Sequence, residues 1–253
     1  MDEQSAQVTR WIADASAVTV LTGAGISTGS GIPDFRGPQG LWTTHPEKQR
    51  LFTIQSYLAD PDVRRSAWRE RLDHPAWTAR PGPGHVALVA LERRGRLRAI
   101  ATQNIDGLHQ AAGNDPGLVL ELHGTLHAAM CLGCGARTPM TEALARVRAG
   151  EEDPPCLACG GIQKSATVSF GQALDPQVLG AAFRAAEECD VFLAVGTSLT
   201  VTPAATLCDA AKAAGARLVV VNAEPTPYDG MADAVLRDQI GRVLPEILTT
   251  STG

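Results

Sequence analysis

The chain has 253 residues, which is enough for one large domain with a smaller insertion. Its formal net charge of -5 provides no global basic field for nucleic acid, and no apolar run approaches the roughly 20 residues that cross a bilayer. Because the acidic N-terminus is unlike a signal peptide, we expect the six cysteines to be metal ligands or free thiols in a reducing cytoplasm. We expect a monomer that binds neither nucleic acid nor membrane.

The first element in chain order is an amphipathic helix near the N-terminus. Its apolar residues Val8, Trp11, Ile12 and Ala15 fall at i, i+3, i+4 and i+7, so we expect Trp11 to face the core. The apolar, β-branched run at 17–22 follows this helix and predicts a buried strand.

Three glycines follow this strand, at Gly23, Gly25 and Gly29. Such glycines permit a tight turn and let backbone N–H groups approach an anion, as in a phosphate cradle. The spacing GxGxxxG differs from the dehydrogenase fingerprint GxGxxG, so an ordinary glycine-rich turn is a competing interpretation. The next loop, 33–37, places an acid, an aromatic ring and a guanidinium side by side, and it is suited to close over a ligand.

The rest of the chain alternates strands with helices. Short helices bounded by Pro61 and Pro75 are expected in the polar stretch 46–80. Beyond it, the predicted strands are 97–102, 118–122, 190–195 and 217–221, and the predicted helices are 85–94, 107–112, 175–188, 203–214 and 243–248. Continuous Val, Ile and Leu runs indicate strands buried on both faces, which predicts an α/β fold with a doubly wound parallel sheet.

Four of the predicted strands end in glycine or polar signatures. These are GAG at 23–25, QNID at 103–106, GTS at 196–198 and NAE at 222–224. Ligands of doubly wound sheets bind beyond the carboxyl ends of the strands, so we expect one nucleotide-sized polar site along this edge. For Asp106, capping of the following helix is the competing interpretation.

Two CxxC pairs lie in the second half of the chain, and their members are Cys131, Cys134, Cys156 and Cys159. Two such turns place four thiolates at tetrahedral corners, which suits Zn²⁺. Four thiolates leave no open position on the metal, so the predicted zinc is structural. The two remaining cysteines, Cys189 and Cys208, are expected to be small buried core residues.

Among the histidines, His123 has the best position for chemistry. It follows a strand end, and an imidazole beside the expected nucleotide site is suited to general-base work because its pKa lies near neutrality. A structural histidine is the competing interpretation. We expect His45, His74 and His85 at surface or core positions, and His109 in a packing or capping role.

Together these motifs resemble the sirtuins, the Sir2 family of NAD-dependent protein-lysine deacylases, of the bacterial type. The matching elements occur in the family's order: GAGIS (23–27), GIPDFRG (31–37), Leu41-Trp42, TQNIDGLH (102–109), LHG (122–124), the CxxC pairs, GTSL (196–199), and Val221, Asn222 and Glu224. The resemblance extends over residues 20–224 and so covers most of the chain.

The resemblance implies two domains. A discontinuous Rossmann-like NAD-binding domain would consist of 1–38, 85–127 and 163–253. A small domain would combine a helical insertion, 39–84, with a zinc-binding module, 128–162. The acyl-lysine of a protein substrate would lie between the domains, and NAD would lie across the strand ends.

The resemblance also implies how NAD is consumed as a co-substrate. Nicotinamide leaves C1′ of the ribose, and the acyl oxygen of the substrate lysine attacks that carbon. His123 is the implied base that activates a ribose hydroxyl, with Asn104 and Asp106 completing the catalytic set. Phe35 would shield the reactive carbon and Arg36 would engage the phosphates. The products would be free lysine, nicotinamide and O-acyl-ADP-ribose.

The remaining site residues are also implied by the resemblance. The implied NAD contacts are Gly23, Ala24, Gly25, Ile26, Asp34, Phe35, Arg36, Trp42, Gln103, Asn104, Ile105, Asp106, Gly196, Thr197, Ser198, Asn222, Ala223, Glu224 and Ile240. The implied substrate contacts are Val168, Phe170, Gly171, Trp68 and Arg71. The implied metal is one structural Zn²⁺ on the four CxxC cysteines.

Two departures from the family's pattern bear on the substrate. FGQ at 170–172 stands where the family usually has Phe-Gly-Glu, and KS at 164–165 stands in place of Lys-Pro or Arg-Pro. Pairing of a peptide with this strand should persist, because it uses main-chain bonds. Sirtuins that prefer succinyl or malonyl groups use a Tyr and, three positions later, an Arg. The counterparts here are Trp68 and Arg71, so acetyl ranks above dicarboxylic acyl groups, and a surface role for Arg71 is the competing interpretation.

Three alternatives stay open. The first is a sirtuin-like enzyme that prefers succinyl, malonyl, lipoyl or longer acyl groups, or that transfers ADP-ribose. The second is a non-catalytic NAD-sensing scaffold, against which the presence of Asn104, Asp106 and His123 argues. The third is a generic α/β dehydrogenase, against which the missing GxGxxG and ribose-binding acid argue.

Overall fold

A computed structural model describes residues 2–37, 40–45 and 52–249. The helices are α1 (Glu3–Asp14), α2 (Leu41–Thr44), α3 (Ile54–Ala59), α4 (Pro61–Leu72), α5 (Pro83–Arg93), α6 (Leu108–Ala112), α7 (Met140–Arg148), α8 (Pro176–Glu187), α9 (Leu207–Ala213) and α10 (Ile240–Leu248). The strands are β1 (Val18–Thr22), β2 (Leu97–Thr102), β3 (Val119–Glu121), β4 (Gly124–Cys131), β5 (Arg137–Pro139), β6 (Gln163–Thr167), β7 (Val191–Val195), β8 (Arg217–Val221) and β9 (Ala234–Leu236). No helix in the described ranges is long and apolar enough to cross a membrane.

Six parallel strands form the larger sheet, in the order β3-β2-β1-β7-β8-β9. If the six strands of this sheet are renumbered from 1 to 6 in chain order, so that β7, β8 and β9 become 4, 5 and 6, their order across the sheet is 3-2-1-4-5-6. This is the Rossmann arrangement. The order reverses between β1 and β7, and the crevice beyond that point is where such sheets bind nucleotides. The predicted α/β fold with a doubly wound parallel sheet is therefore confirmed.

Helices cover both faces of this sheet, which explains the continuous apolar runs of its strands. Every residue of β1 and of β7 is buried. α1, α5 and α10 pack on one face, and α8 and α9 pack on the other. Cys189 and Cys208 are buried in the second face, as predicted. Trp11 faces the core as expected: it packs half-buried against the first face, and the Arg217 guanidinium lies 5.2 Å from its ring.

Most predicted elements are present, with shifted ends. The predicted helix at 107–112 begins one residue later, because Gly107 adopts a left-handed conformation with φ 72°. The predicted helix at 203–214 divides into a short 3-10 turn and α9. Sequence patterns alone predict neither β9, a three-residue edge strand, nor α7, which lies between the two cysteine pairs.

A second, antiparallel sheet has the strand order β5-β4-β6. Together with α3, α4, α7 and the four CxxC cysteines it forms what we call the small module. Its apolar core consists of Trp68, Ala129, Met140, Ala143, Leu144 and Val147. β4 begins at Gly124 and β6 ends at Thr167, so this sheet extends past both ends of the predicted zinc module, 128–162. The division of the chain into domains stays a prediction, and residues 39 and 46–51 of the helical insertion lie outside the described residues.

Candidate functional site

The glycines after β1 bring the ends of β1 and β7 together. The N–H groups of Gly23 and Gly25 donate to the carbonyl oxygens of Val195 and Gly196, at 3.0 and 2.9 Å. A Cβ on Gly23 would lie 2.6 Å from the Gly196 oxygen, and one on Gly25 would lie 2.7 Å from the Gly196 Cα. Both glycines are therefore required by backbone packing at the switch point. Because these N–H groups already donate within the sheet edge, the structure favours the interpretation as a glycine-rich turn, and contact of the two glycines with NAD stays a prediction.

The loop after β2 places an amide, a hydroxyl and a carboxylate in one buried network. Asn104 Nδ2 donates to the Gly23 oxygen at 3.0 Å and to Ser27 Oγ at 3.2 Å. Ser27 Oγ donates in turn to Asp106 Oδ2 at 2.8 Å. The other carboxylate oxygen of Asp106 accepts the Leu108 N–H at 3.0 Å. The capping role of Asp106 and its place in this network thus exist together, one on each carboxylate oxygen.

Gln103 joins the ends of three strands. Its side-chain Nε2 donates to Thr197 Oγ1 at 2.8 Å, beyond β7. Its backbone oxygen lies 2.9 Å from Nδ1 of His123, the residue directly before β4. Because a carbonyl oxygen only accepts, His123 Nδ1 carries the proton and Nε2 keeps the lone pair that a base needs. Burial lowers the pKa of His123 below 6.5, against the opposing effect of the Gln103 bond, so the ring is neutral at pH 7.

The two other strand-end signatures continue along the same edge. Gly196 is buried with a left-handed φ of 60°, and Ser198 is half-buried with its Oγ 2.9 Å from Thr200 Oγ1. Beyond β8, Asn222 Nδ2 donates to the Glu224 carbonyl oxygen at 2.8 Å, and the Ala223 and Glu224 side chains are exposed. The β1, β2, β7 and β8 ends therefore bring the four predicted signatures into adjacent positions.

Ile240 is distant in sequence from these four signatures and is the first residue of α10. Its side chain and that of Ile26 approach the same point, each 3.3 Å from where a Cβ on Gly84 would lie. Ile240 and Ile26 therefore pack at the start of α5, at the margin of the first face of the core. The predicted main-chain contact of Ile240 with adenine stays a prediction.

The loop at 33–37 is held by aromatic contacts beside the strand ends. Phe35 is 37% exposed, its ring lies 4.9 Å from that of Trp42, and its carbonyl accepts the Trp42 N–H at 2.9 Å. Phe52 and Phe170 complete the cluster of rings. Arg36 stacks over Trp42 at 4.6 Å, and Asp34 Oδ1 accepts the Gly37 N–H at 3.0 Å. The cluster therefore connects the predicted ligand-covering loop to Phe170 of the predicted substrate strand.

The predicted substrate strand is partly paired with the chain itself. Val168 N–H donates to the His123 carbonyl oxygen at 2.8 Å. Phe170 N–H donates to the Phe52 oxygen at 2.9 Å, and the Phe170 oxygen accepts the Ile54 N–H at 3.0 Å. Gly171 has φ 81°, and a Cβ there would lie 2.8 Å from the Gln55 amide. Phe170 itself therefore offers no backbone edge to a peptide in this structure.

Trp68 and Arg71 occupy different environments on α4. Trp68 is 1% exposed inside the core of the small module, so its ring presents no surface to a substrate in this structure. Arg71 is half-buried, and its Nε donates to Ser165 Oγ at 3.4 Å. The buried Lys164 ammonium lies near it and donates to the carbonyls of Ser165 and Thr167. Burial and the charge of Arg71 lower the pKa of Lys164 to about 8.

Four sulfur atoms lie together at one end of the small module. The Sγ atoms of Cys131, Cys134, Cys156 and Cys159 all lie within 4.8 Å of one another. Cys131 and Cys159 are 3.5 Å apart, and Cys134 and Cys156 are 3.7 Å apart. A tetrahedral Zn²⁺ with bonds of about 2.3 Å places its sulfurs roughly 3.8 Å apart, so this donor set fits a structural zinc ion.

Two buried histidines pack beneath the Asn104 loop. The rings of His85 and His109 lie 5.0 Å apart. Gly82 N–H donates to His85 Nδ1 at 3.1 Å, and His109 Nε2 lies 2.9 Å from Thr22 Oγ1. Burial, with a smaller effect from His85, lowers the pKa of His109 to about 3. The core interpretation of His85 and the packing interpretation of His109 are therefore confirmed.

Sequence reasoning missed two residues of this region. Ser27 is 1% exposed and links Asn104 to Asp106, and the only available signal was its place at the end of GAGIS. His127 has no motif of its own, yet its Nε2 lies 2.9 Å from the Asp106 carbonyl oxygen. Its role follows from tertiary contact alone, which the local pattern does not encode.

Comparisons with known proteins agree with this geometry. The sequence profile of the Sir2 family matches residues 23–203. NAD-dependent protein deacetylase 2 of Streptomyces coelicolor is 57% identical over 231 residues, which cover 91% of this chain and 96% of that protein. NAD-dependent protein deacylase 2 of Pyrobaculum aerophilum is 41% identical, over 94% of this chain and 92% of that protein.

Solved structures give the same result. A Sir2 variant with a deacetylated p53 peptide and 3′-O-acetyl ADP-ribose superposes with a TM-score of 0.88 at 30% identity, over 97% of each chain. A structure from work on the mechanism and regulation of Sir2 enzymes superposes with a TM-score of 0.87 at 39% identity, over 98% of this chain and 97% of that one. The family profile, the relatives and the fold agree, and the chain belongs to the Sir2 family.

Proposed function

We propose that this chain is an NAD-dependent protein-lysine deacetylase that forms nicotinamide, O-acetyl-ADP-ribose and free lysine, with one water consumed. The observation that carries the proposal is the environment of His123. Its Nδ1 is fixed on the Gln103 carbonyl, and Gln103 is in turn bonded to Thr197 and followed by the Asn104–Asp106 network. A neutral base, an amide and a carboxylate thus meet at the nucleotide edge of a Rossmann sheet.

In this proposal NAD lies along the ends of β1, β2, β7 and β8. Asn104 and Asp106 bind the ribose and the nicotinamide amide, and Ser27 holds both side chains in place. Thr197, Ser198, Asn222 and Glu224 meet the adenosine half. Phe35 and Arg36 reach the ribose and the phosphates by movement of the loop at 33–37.

His123 acts as the base. Its unprotonated Nε2 takes a proton from a ribose hydroxyl, which then attacks the carbon of the former acyl group. Because the active form is neutral and burial lowers the pKa below 6.5, activity is expected to fall only below that pH. This arrangement needs no metal at the reacting atoms, and the zinc ion on the four cysteines shapes the small module.

The proposed acyl group is acetyl. This ranking is supported by the name of the Streptomyces coelicolor relative, a deacetylase, and by Trp68, whose buried indole ring carries no hydroxyl. A second candidate substrate, an acyl group that ends in a carboxylate, is favoured by one observation. Arg71 reaches Ser165 of β6, and its charge lies close enough to the buried Lys164 ammonium to lower the pKa of that group, so two positive charges lie near each other.

The test is mass spectrometry of one lysine peptide in acetyl, succinyl and longer acyl forms, with and without NAD. NAD-dependent loss of acetyl with equal amounts of O-acetyl-ADP-ribose is the expected result. Arg71→Met separates the two candidates, because it should leave acetyl turnover intact and abolish any succinyl turnover. Absence of turnover on every peptide, with NAD still bound, would favour a sensing module instead.

We further propose that the enzyme acts as a cytoplasmic monomer on acylated proteins, without nucleic acid or membrane partners. Support for a reducing compartment comes from the cysteines, since all six are free of disulfides. Light scattering during size exclusion tests the monomer, for which a mass near 26.5 kDa is expected.

A further inference from the structure

His127 connects the small module to the loop at 103–107, which follows β2, carries Asn104 and Asp106, and is called the NAD loop below. It lies in the middle of β4, the strand that follows His123 and ends at the zinc-site cysteine Cys131. Its Nε2 lies 2.9 Å from the backbone oxygen of Asp106. Because a carbonyl only accepts, the imidazole donates this bond. The bond therefore holds the backbone of the residue whose carboxylate belongs to the buried Asn104 network.

The backbone of the NAD loop leaves space for the His127 ring. Gly107 has φ 72°, and a Cβ on it would lie 2.6 Å from His127 Nε2. On another side, the Trp77 ring packs edge-on at 5.6 Å, and Trp77 Nε1 donates to the Arg71 oxygen at 2.6 Å. The imidazole is thus enclosed between a glycine of the NAD loop and an aromatic ring of the small module.

We propose that His127 is a positioning residue that fixes the Asn104–Asp106 loop in the conformation that binds NAD. This inference rests on the proposed function, because it assigns a purpose to the loop. The argument is one of geometry: a donated bond, a glycine with no room for a side chain, and a packed indole all act on the same ring. His127 touches neither substrate in this account and acts through the backbone of Asp106.

Two substitutions separate the hydrogen bond from the packing. His127→Leu keeps an apolar side chain between Gly107 and Trp77 but removes the donor. His127→Gln keeps a donor at nearly the same reach as Nε2. The Kd for NAD, measured by calorimetry, is expected to rise about 3- to 10-fold in His127→Leu, the loss of one hydrogen bond. It should stay within about twofold of the parent in His127→Gln, since the same bond is kept.

Hydrogen exchange without NAD provides a readout that does not depend on turnover. Backbone amides of 103–108 should exchange faster in His127→Leu than in the parent, whereas those of β1 and β7 should be unchanged. The KM for acetyl-peptide should also be unchanged, because the bond acts on the NAD loop. If the parent binds no NAD, the proposed function fails, and the exchange comparison still tests the role of His127.

The inference is overturned if His127→Leu folds with parental NAD affinity and parental exchange at 103–108. It is also overturned if His127→Gln loses as much NAD affinity as His127→Leu, because the donor would then be irrelevant. Should His127→Leu fail to fold, His127→Gln carries the test alone, and a several-fold loss of NAD affinity in that variant contradicts the proposal.

Discussion

The six-stranded sheet and the small module are stabilised by different means. The sheet buries continuous apolar strands between helices on both faces, with Phe192 and Leu193 of β7 fully buried. The small module has a core of six buried residues around Trp68 and depends in addition on four cysteines that fit a zinc ion. From this difference we expect the nucleotide edge to belong to a body that its apolar core stabilises, and the small module to depend on a bound metal.

The largest expected effect is loss of the metal. Strong chelation, or Cys156→Ser, should unfold the small module and leave the six-stranded sheet folded, because apparent zinc-binding energies of about 10–16 kcal/mol also drive folding in small zinc modules. Metal analysis should find one zinc per chain in the parent. Hydrogen exchange should show loss of protection in β4 and β6 but not in β1 and β7.

Cys208→Ala is the matched control for this experiment. Cys208 is fully buried in the larger core, far from the four clustered thiols in sequence and in fold. That variant should keep its zinc and lose only modest stability. A metal-free parent with full protection in β4 and β6 would contradict the comparison.

A smaller effect is expected from removing one large ring in each region. Trp68→Ala and Phe192→Ala each delete a side chain that is at most 1% exposed, and each should lower the free energy of unfolding by about 3–5 kcal/mol. The location of the loss should differ. Trp68→Ala should destabilise the small module and weaken NAD binding by no more than the 3- to 10-fold expected from loss of the His127 bond, and Phe192→Ala should destabilise the whole chain. Equal loss of NAD binding in both variants would show that the two regions do not unfold separately.

The smallest expected effect is acid sensitivity. His109 has a folded pKa of about 3 against an ordinary 6.5, so the unfolded chain binds the extra proton below pH 6.5. The contribution of neutral His109 to the free energy of unfolding is therefore complete above pH 6.5 and is lost progressively as the pH falls toward 3. Between pH 7 and 5 this one residue should cost about 2 kcal/mol, which urea unfolding measures. An unchanged urea midpoint would contradict burial of a neutral His109.

The sequence predicts the sheet because its signals are local. Runs such as 191–195 are buried on both faces, and four of the five predicted strand ends are followed by a glycine or polar signature. The zinc ligands can be predicted equally well, because each CxxC turn brings two thiolates together through local backbone geometry. In contrast, β4 pairs with β6 across the whole cysteine region, and no local period indicates that pairing.

The features of the site that local sequence patterns do not reveal depend likewise on tertiary contacts. Gly23 and Gly25 are glycines because two strand ends approach each other, a tertiary reason that looks like a phosphate cradle in the sequence. Trp68 aligns with a substrate position but lies in a core. The role of His127 could not be predicted from the sequence, because its partner is the Asp106 backbone carbonyl, and every residue has such a group.

The most direct test of the account combines NAD binding with acyl transfer in the parent and in His123→Ala. Calorimetry should give similar NAD affinities for the two proteins, because the Asn104–Asp106 network is intact in both. Mass spectrometry should find O-acetyl-ADP-ribose with the parent and a loss of about 10²–10⁴-fold with the variant, the usual contribution of a general base. Undiminished transfer by His123→Ala would contradict the assignment of the base and, with it, the proposed chemistry.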